Sequence, residues 1–280
     1  MVVEGGVLRL ASSIDWLHGQ RIREKLSGRA AQWLSLLEVH KVIDSTSDAL
    51  LATGRTRSVD GVVYLAELQT RGRGRRGRAW LTPLGGNLAM SAGFALQRSL
   101  SELGGLSLVV GLAMLDALHE LGLTELQVKW PNDLLLAGAK LGGILVELKM
   151  PVEAGRGSEA IVGVGINVSL PAGAREAIDQ EVTDLATALG NPDRNRLASR
   201  LLGYMVDYIK VFDEQGFAPM RAQYDAHHWL HGRHCQVVLG SDTIAGRVLG
   251  VTDEGELRLE TSAGVASLRA GEVSVRPAPA

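Results

Sequence analysis

The stretch RGRGRRGRAW, residues 71–80, places five arginines and three glycines in ten positions of a 280-residue chain whose formal charge is -2. A run this cationic points to nucleic acid when the whole surface is basic, because nonspecific binding draws on many phosphate contacts. Here 29 lysines and arginines stand against 31 aspartates and glutamates, so the positive charge is local. The embedded Gly72-x-Gly74-x-x-Gly77 has dinucleotide-fingerprint spacing, but the glycines of that motif open a helix whose N-terminus faces the pyrophosphate. The residues that follow, AWLTPLGGN, contain Pro83, Gly85 and Gly86 and start no helix. Two readings of the run are left. One is a solvated surface loop. The other is a mobile, glycine-hinged loop whose guanidiniums and backbone N–H groups close around a phosphate and become ordered with it.

Working outward, GVVYLAELQT (61–70) has the β-branched and apolar density of a strand that ends at the arginines. Residues 14–39 read as one or two short helices and a strand. VIDSTSDALL (42–51) reads as a strand giving way to a helix, with Asp44, Ser45, Thr46 and Ser47 as cap formers. LSLVVGLAMLDALHELG (106–122) is apolar on most faces, as a buried helix is, and closes at Gly122. LQVKW (126–130) and LLLAGAKLGGILVEL (134–148) read as strand, turn, strand, strand, and IVGVGINVSL (161–170) as a wholly apolar strand. Runs without polar alternation imply a sheet covered on at least one side. Leu197, Leu201, Leu202, Met205, Ile209 and Phe212 share one face of a helix stopping at Gly216. Beyond Gly232 come QVVLG, AGRVLGV, GELRLET and GVASLRA, short strands divided by turn residues that predict a small β-barrel, with RPAPA (276–280) as a frayed tail.

With 46% hydrophobic residues the chain can bury one sizeable core and a small second one. Its single cysteine, Cys235, excludes an internal disulfide, and the first residues lack a charged segment followed by an apolar one, which points to the cytoplasm. The longest apolar run, Leu106 to Leu118, is interrupted by Asp116 and too short to cross a bilayer.

KWPND (129–133) ends a strand in a Trp-Pro turn and sets an amide beside a carboxylate; Lys140 and Leu141-Gly142-Gly143 follow. An Asn-Asp turn flanked by lysines is also common in hairpins, so this block alone does not decide. Taken together, Ser45-Thr46-Ser47, Gln69, GRGRRGR (72–78), KWPND (129–133), KLGGILVE (140–147) and GVGINV (163–168) closely resemble, in order and spacing, the signature blocks of biotin protein ligases. The resemblance runs from roughly residue 35 to the C-terminus.

It implies an α/β (α+β) fold. Residues 35–230 would form a catalytic domain with a class II aminoacyl-tRNA synthetase-like mixed sheet and helices, residues 231–280 a small SH3-like β-barrel, and residues 1–34 a short linker with helices. It also implies a reaction. Biotin and MgATP give biotinoyl-5′-AMP and pyrophosphate, and a lysine of the biotin carboxyl carrier protein of acetyl-CoA carboxylase takes the biotinoyl group. Biotin's carboxylate must approach the α-phosphate, and negative charge grows on the departing pyrophosphate, which is what local cations are for.

By the resemblance, Arg75, Lys140 and Asp133 are the catalytic residues: Lys140 bridges acyl and phosphate oxygens, and Asp133 orients or deprotonates the incoming amine. Ser45, Thr46, Ser47, Gln69, Arg73, Gly74, Arg75, Lys140, Gly143 and Gly165 are implied as biotin contacts. Arg75, Arg78, Asn132 and Asn167 are implied as nucleotide contacts, with Gly163 and Gly165 allowing the close approach a flat ring requires. Metal ligands stay unknown. Ser47 departs from the Asn often found in the family, and Val182 stands where some members carry an aromatic against adenine.

GGVLRLASSIDWL (5–17) reads as the end of a wing and its linker without the rest of a winged helix-turn-helix, so specific DNA binding is not expected of this chain. A homodimer stays open. In HHWLHGRHC (227–235), His227, His231 and Cys235 are four apart, a spacing that can hold zinc on a helix face, but Gly232 breaks the helix; a hinge between domains with partly exposed histidines is preferred. The alternative functions are a lipoate or octanoate ligase of the same superfamily and, in a different class, a nucleic-acid-binding protein using residues 71–78.

Overall fold

The structure, a computed structural model, describes residues 2–4, 7–9, 14–150, 157–239, 242–270 and 273–277. A short antiparallel hairpin, β1 (Val2–Glu4) with β2 (Val7–Arg9), precedes helices α1 (Gly19–Glu24) and α2 (Gly28–Trp33). Then come β3 (Leu36–His40), α3 (Thr46–Thr53), β4 (Val62–Ala66), β5 (Asn87–Leu96), α4 (Leu106–Glu120), β6 (Leu126–Lys129), β7 (Asp133–Leu136), β8 (Ala139–Lys149) and β9 (Ser158–Asn167). Helices α5 (Ala172–Glu176), α6 (Leu185–Leu189), α7 (Arg194–Gln215) and α8 (Arg221–His227) follow. The chain closes with β10 (His234–Leu239), β11 (Asp242–Val251), β12 (Leu257–Thr261), β13 (Gly264–Leu268) and β14 (Val273–Pro277).

Strands β3 to β9 make one seven-stranded mixed sheet in the order β3-β4-β5-β9-β8-β7-β6, in which only β3 and β4 run parallel. The last five strands make a small antiparallel sheet. Both the large mixed sheet and the small C-terminal sheet are as expected. The frayed tail is corrected in part: Arg276 and Pro277 belong to β14, paired with Gln236 and Cys235, while residues 278–280 lie outside the described residues. Of the wing-like stretch, residues 5, 6 and 10–13 also lie outside them.

Helices α3, α6 and α7 begin at side-chain caps. The Ser45 side chain accepts from Asp48 N at the start of α3, Asp193 accepts from Arg196 N at the start of α7, and Gly216 at φ 76 ends α7. The period-2 pleat then divides the central strands. On β5 and β9, Leu88, Met90, Ala92, Phe94, Val162, Val164 and Ile166 join the core with α4 and α7. Beneath α3, a smaller cluster of Leu50, Val59, Val62, Tyr64 and Ile161 covers part of the other face. Past the end of α3 that face continues with Asn87, Ala89, Ser91, Gly163, Gly165 and Asn167, mostly small or polar. It is left open there, and the cavity described below forms on it. No helix among the described residues is long and apolar enough to cross a membrane.

The two sheets meet around His228, which is buried at 4% exposure, so the expectation of partly exposed histidines fails for it. Its Nε2 accepts from Trp130 N (3.3 Å), which fixes a neutral ring, and burial depresses its pKa from 6.5 to about 3, with a smaller effect of His231. Among the described residues no three or more His, Cys, Asp or Glu side chains come together as a metal cluster, so His227, His231 and Cys235 form none. Cys235 is buried in β10 and its thiol is pushed up to about 11 by that burial.

Because folding excludes a proton that the unfolded imidazole takes up below pH about 6.5, this contribution to stability is complete above that pH. It is lost as pH falls toward about 3, at up to ~1.4 kcal/mol per unit. Urea midpoints at pH 7 and pH 5 are expected to differ more for the wild type than for His228→Gln, whose amide oxygen can still accept from Trp130. Equal differences would exclude His228 as the source.

Candidate active site

Residues 72–80 form a hairpin. Trp80 N donates to Gly72 O (2.8 Å), Gly74 N donates to Arg78 O (2.7 Å), and Arg76 and Gly77 turn the chain with φ of 59° and 71°. Arg73 anchors the hairpin: its Nη2 reaches both Glu147 oxygens at 2.8 Å and Asp48 at 2.7 Å, joining it to β8 and α3. Desolvation is the largest single influence on this guanidinium and lowers its pKa, but the combined pull of Glu147 and Asp48 raises it overall. Arg75 turns the other way, donating from Nη1 to Asn132 Oδ1 (3.2 Å) and from Nη2 to Ala270 O, which follows β13 of the C-terminal sheet. Burial lowers its pKa against the opposing attraction of Asp133. Arg76 and Arg78 are exposed.

Beneath the hairpin is a cavity of about 870 Å³, within the usual size for a small-molecule site. Its lining includes every residue the sequence singled out: Ser45, Thr46, Ser47, Gln69, Arg73, Gly74, Arg75, Arg78, Asn132, Asp133, Lys140, Gly143, Gly165 and Asn167. Arg76 and Lys129 add to the cations, Asp179 is a second carboxylate, and Val275 comes from the C-terminal sheet. Another cleft, about 910 Å³, lies toward the far ends of β5 and β9 against Trp33 and Phe94. It is slightly larger but brings together no comparable set of residues, so size alone does not locate the chemistry.

Hydroxyl groups from two elements meet in the cavity. Thr46 Oγ1 and Ser47 Oγ both contact Ser91 Oγ, at 2.8 and 2.9 Å, while Thr46 N and Oγ1 donate to Gln69 Oε1 at 2.8 and 3.1 Å. Gln69 is oriented in turn by its donation to Thr82 Oγ1 (3.1 Å). Ser91 was not foreseen. The available signal was a lone hydroxyl in the middle of the apolar run NLAMSAGFAL.

Lys140 Nζ pairs with Asp133 at 2.8 Å across the β7–β8 turn and stands 5.7 Å from the centre of the Trp80 ring. Trp80 was also missed, and it changes the reading of the glycines. A Cβ on Gly165 would come within 2.5 Å of the Trp80 indole, and one on Gly143 within 3.3 Å. A Cβ on Gly163 would meet Ser47 Oγ at 2.8 Å. Bare backbone at Gly165 thus seats the ring of Trp80, and Gly163 makes room for a hydroxyl.

The two asparagines are occupied by protein partners. Asn132 Nδ2 donates to Ile144 O (2.9 Å), fastening the turn to β8 while its Oδ1 holds Arg75. Asn167 Nδ2 donates to Lys140 O (3.4 Å) and Thr183 O (3.0 Å). Val182, beside Thr183, lines the cavity and forms a parallel bridge with Lys140. The chemical capacity of the site is plain: anions are met by a cluster of arginines and lysines, a flat polar group by converging hydroxyls, and an amine by Asp133.

Residues 39–167 match the Biotin/lipoate A/B protein ligase family and residues 230–276 the Biotin protein ligase C terminal domain. The chain is 34% identical to the Bifunctional ligase/repressor BirA of Escherichia coli over 277 residues, covering 99% of this chain and 83% of that protein. It is 33% identical to the biotin--[acetyl-CoA-carboxylase] ligase of Mycobacterium tuberculosis over 264 residues, covering 92% and 95%. The solved biotin protein ligase from Aquifex aeolicus in complex with biotin and ATP is 28% identical, with a TM-score of 0.72 covering 88% of this chain and 100% of that one.

Proposed function

We propose that this chain, which belongs to the biotin protein ligase family, activates biotin with ATP and passes it to a lysine of a carboxylase carrier protein in the cavity beneath the arginine hairpin. The observation that carries this is the assembly of the Ser45–Thr46–Ser47–Ser91 hydroxyls, the arginines and the Lys140–Asp133 pair on one cavity wall. The hydroxyls, with Gln69, receive the polar ring of biotin, whose buried N–H and C=O groups require partners. Trp80 supplies an apolar flank.

In the first step a biotin carboxylate oxygen bonds to the α-phosphorus and the bond to pyrophosphate breaks. Lys140 neutralises the oxygens that crowd together there, and Arg75 with Arg78 meets the phosphate charge. Asp133 and Asp179 are the carboxylates in the cavity that would face a magnesium ion brought in with ATP, which would supply positive charge to the phosphates. In the second step the carrier lysine's nitrogen bonds to the acyl carbon, the bond to AMP breaks, and Asp133 orients the amine and takes its proton. Asn132 and Asn167 act here through the protein groups they hold; Asn132 keeps one N–H and acceptor capacity for the nucleotide, and Asn167, with both N–H groups engaged, keeps acceptor capacity alone.

We assign the catalytic unit to residues 35–230 and the small C-terminal sheet to residues 231–280, the latter reaching the cavity through Val275. The carrier is the biotin carboxyl carrier protein of acetyl-CoA carboxylase, and the compartment is the cytoplasm. The deciding experiment is ATP–pyrophosphate exchange driven by biotin, lipoate and octanoate in turn. Exchange with biotin is expected; exchange with lipoate or octanoate instead would replace the substrate assignment.

Arg75→Gly removes a guanidinium from the cavity and its hold on both Asn132 and Ala270. Biotinoyl-AMP is expected to escape roughly tenfold faster, the value of one charged hydrogen bond, and to label neighbouring lysines indiscriminately. Retention equal to the wild type would remove Arg75 from the phosphate contacts.

A further inference from the structure

Asn87 is the first residue of β5, has no exposed surface and is absent from the cavity wall, yet its side chain contacts three residues that form that wall. Its Oδ1 accepts from Trp80 Nε1 (3.3 Å). Its Nδ2 donates to Asn167 Oδ1 (3.3 Å) and to Leu81 O (3.4 Å). Asn87 and Asn167 face each other across the β5–β9 ladder, which is why the two amides meet. The Asn167 amide in turn grips the carbonyl of Lys140. One amide therefore joins the indole flank of the cavity to the backbone of the lysine that pairs with Asp133.

Behind Asn87 is a rigid support. Arg194 Nη2 donates to Asn87 O (2.8 Å), and Arg194 Nη1 pairs with Glu67 at 2.7 Å, with both side chains almost entirely buried. A buried Asn has several polar groups to satisfy, and apolar residues fill such a place more simply when packing is the only demand. Here both arms of the amide end on groups of the site.

We propose that Asn87, braced by Arg194 and Glu67, is a positioning residue with two separable outputs: it sets the Trp80 indole for biotin binding, and through Asn167 it sets Lys140 for adenylate formation. This rests on the biotin ligase reading above.

The test combines calorimetric biotin binding without nucleotide and biotin-dependent pyrophosphate exchange in Trp80→Phe, Asn87→Ala, the double variant and Asn87→Asp. Trp80→Phe keeps a flat ring and loses the N–H, so biotin should bind roughly fivefold more weakly. In the Asn87→Ala background, where the acceptor is already gone, the same change should cost nothing further. Asn87→Asp keeps an oxygen toward Trp80 but turns an oxygen instead of an N–H toward Asn167. It should bind biotin like the wild type and turn over roughly tenfold more slowly.

Trp80→Phe costing the same factor with and without Asn87 would overturn the proposal, as would Asn87→Asp with unchanged turnover. If Asn87→Ala fails to fold by circular dichroism, the isosteric Asp variant decides alone through its split between affinity and turnover. A wild type that exchanges pyrophosphate with lipoate in place of biotin would sink the substrate assignment, and the same cycle would then be read with lipoate.

Discussion

Lys140→Gln is expected to lower biotin-dependent pyrophosphate exchange by about 10²–10³-fold, the usual loss when one preorganised group aimed at developing charge is removed. The ammonium pairs with Asp133 at 2.8 Å beside the Trp80 ring, so it is held in place before substrates arrive. Glutamine keeps much of the length and the capacity to donate, and removes only the charge. In the ground state biotin's carboxylate has not yet bonded to phosphorus; the lysine's advantage appears as the two anions are forced together. The contact is therefore worth more in the transition state than in the bound substrate, and turnover should fall while biotin affinity without ATP changes little. Steady-state exchange and nucleotide-free calorimetry separate these effects. Normal exchange, or a defect confined to biotin affinity, would leave Lys140 as an ordinary hairpin lysine.

Why Lys140 was legible in the sequence, and its supports were not, follows from how each signal is encoded. Lys140, Asp133, Asn132 and the arginines sit in short contiguous blocks, where spacing along the chain translates directly into proximity. The same holds for the Ser45 cap and for α4 and α7, whose apolar patterns are local. Ser91 and Asn87 depend on β5, an interior strand, which went unread because half of NLAMSAGFAL is Ala, Gly and Ser and none of it is β-branched. A strand of this kind is stabilised by its neighbours on both sides more than by its own propensity.

Trp80 was read as the end of the arginine loop, since nothing local says that Gly143 and Gly165, far along the chain, leave a seat for its ring. At Gly163 and Gly165 the bare backbone also accommodates Ser47 and Trp80, partners far away in sequence. The zinc-like spacing of His227, His231 and Cys235 shows the converse, since a helical period in sequence means little once Gly232 turns the chain and Cys235 enters a strand. Charged residues that pair across the fold are the least legible of all. Glu67 and Arg194 are separated by 127 positions and are read singly as surface residues.

That pair gives the second large effect. Arg194→Ala is expected to destabilise the fold by about 3–5 kcal/mol, a sizeable part of the ~5–15 kcal/mol that holds a typical domain. The guanidinium donates to Glu67, to Asp15 O (3.0 Å) and to Asn87 O (2.8 Å), at the point where the N-terminal segment crosses the start of α7. Asn195 fastens the same segment, donating to Trp16 O (2.9 Å) and accepting from His18 N (2.7 Å). Without Arg194, Glu67 retains the donation from Leu17 N (2.6 Å), but its charge is buried with no counterion, and that uncompensated charge is the larger part of the cost.

The consequence is a specific non-additivity. Adding Glu67→Gln to Arg194→Ala removes the stranded charge while keeping an oxygen for Leu17 N, so the double variant should be more stable than Arg194→Ala alone. Where sites are independent, a second buried substitution only adds to the loss. Urea unfolding at pH 7 of the wild type, both single variants and the double measures the coupling. A loss below about 1 kcal/mol for Arg194→Ala, in the range of an exposed ion pair, would show that water already reaches the pair and that it does not brace Asn87.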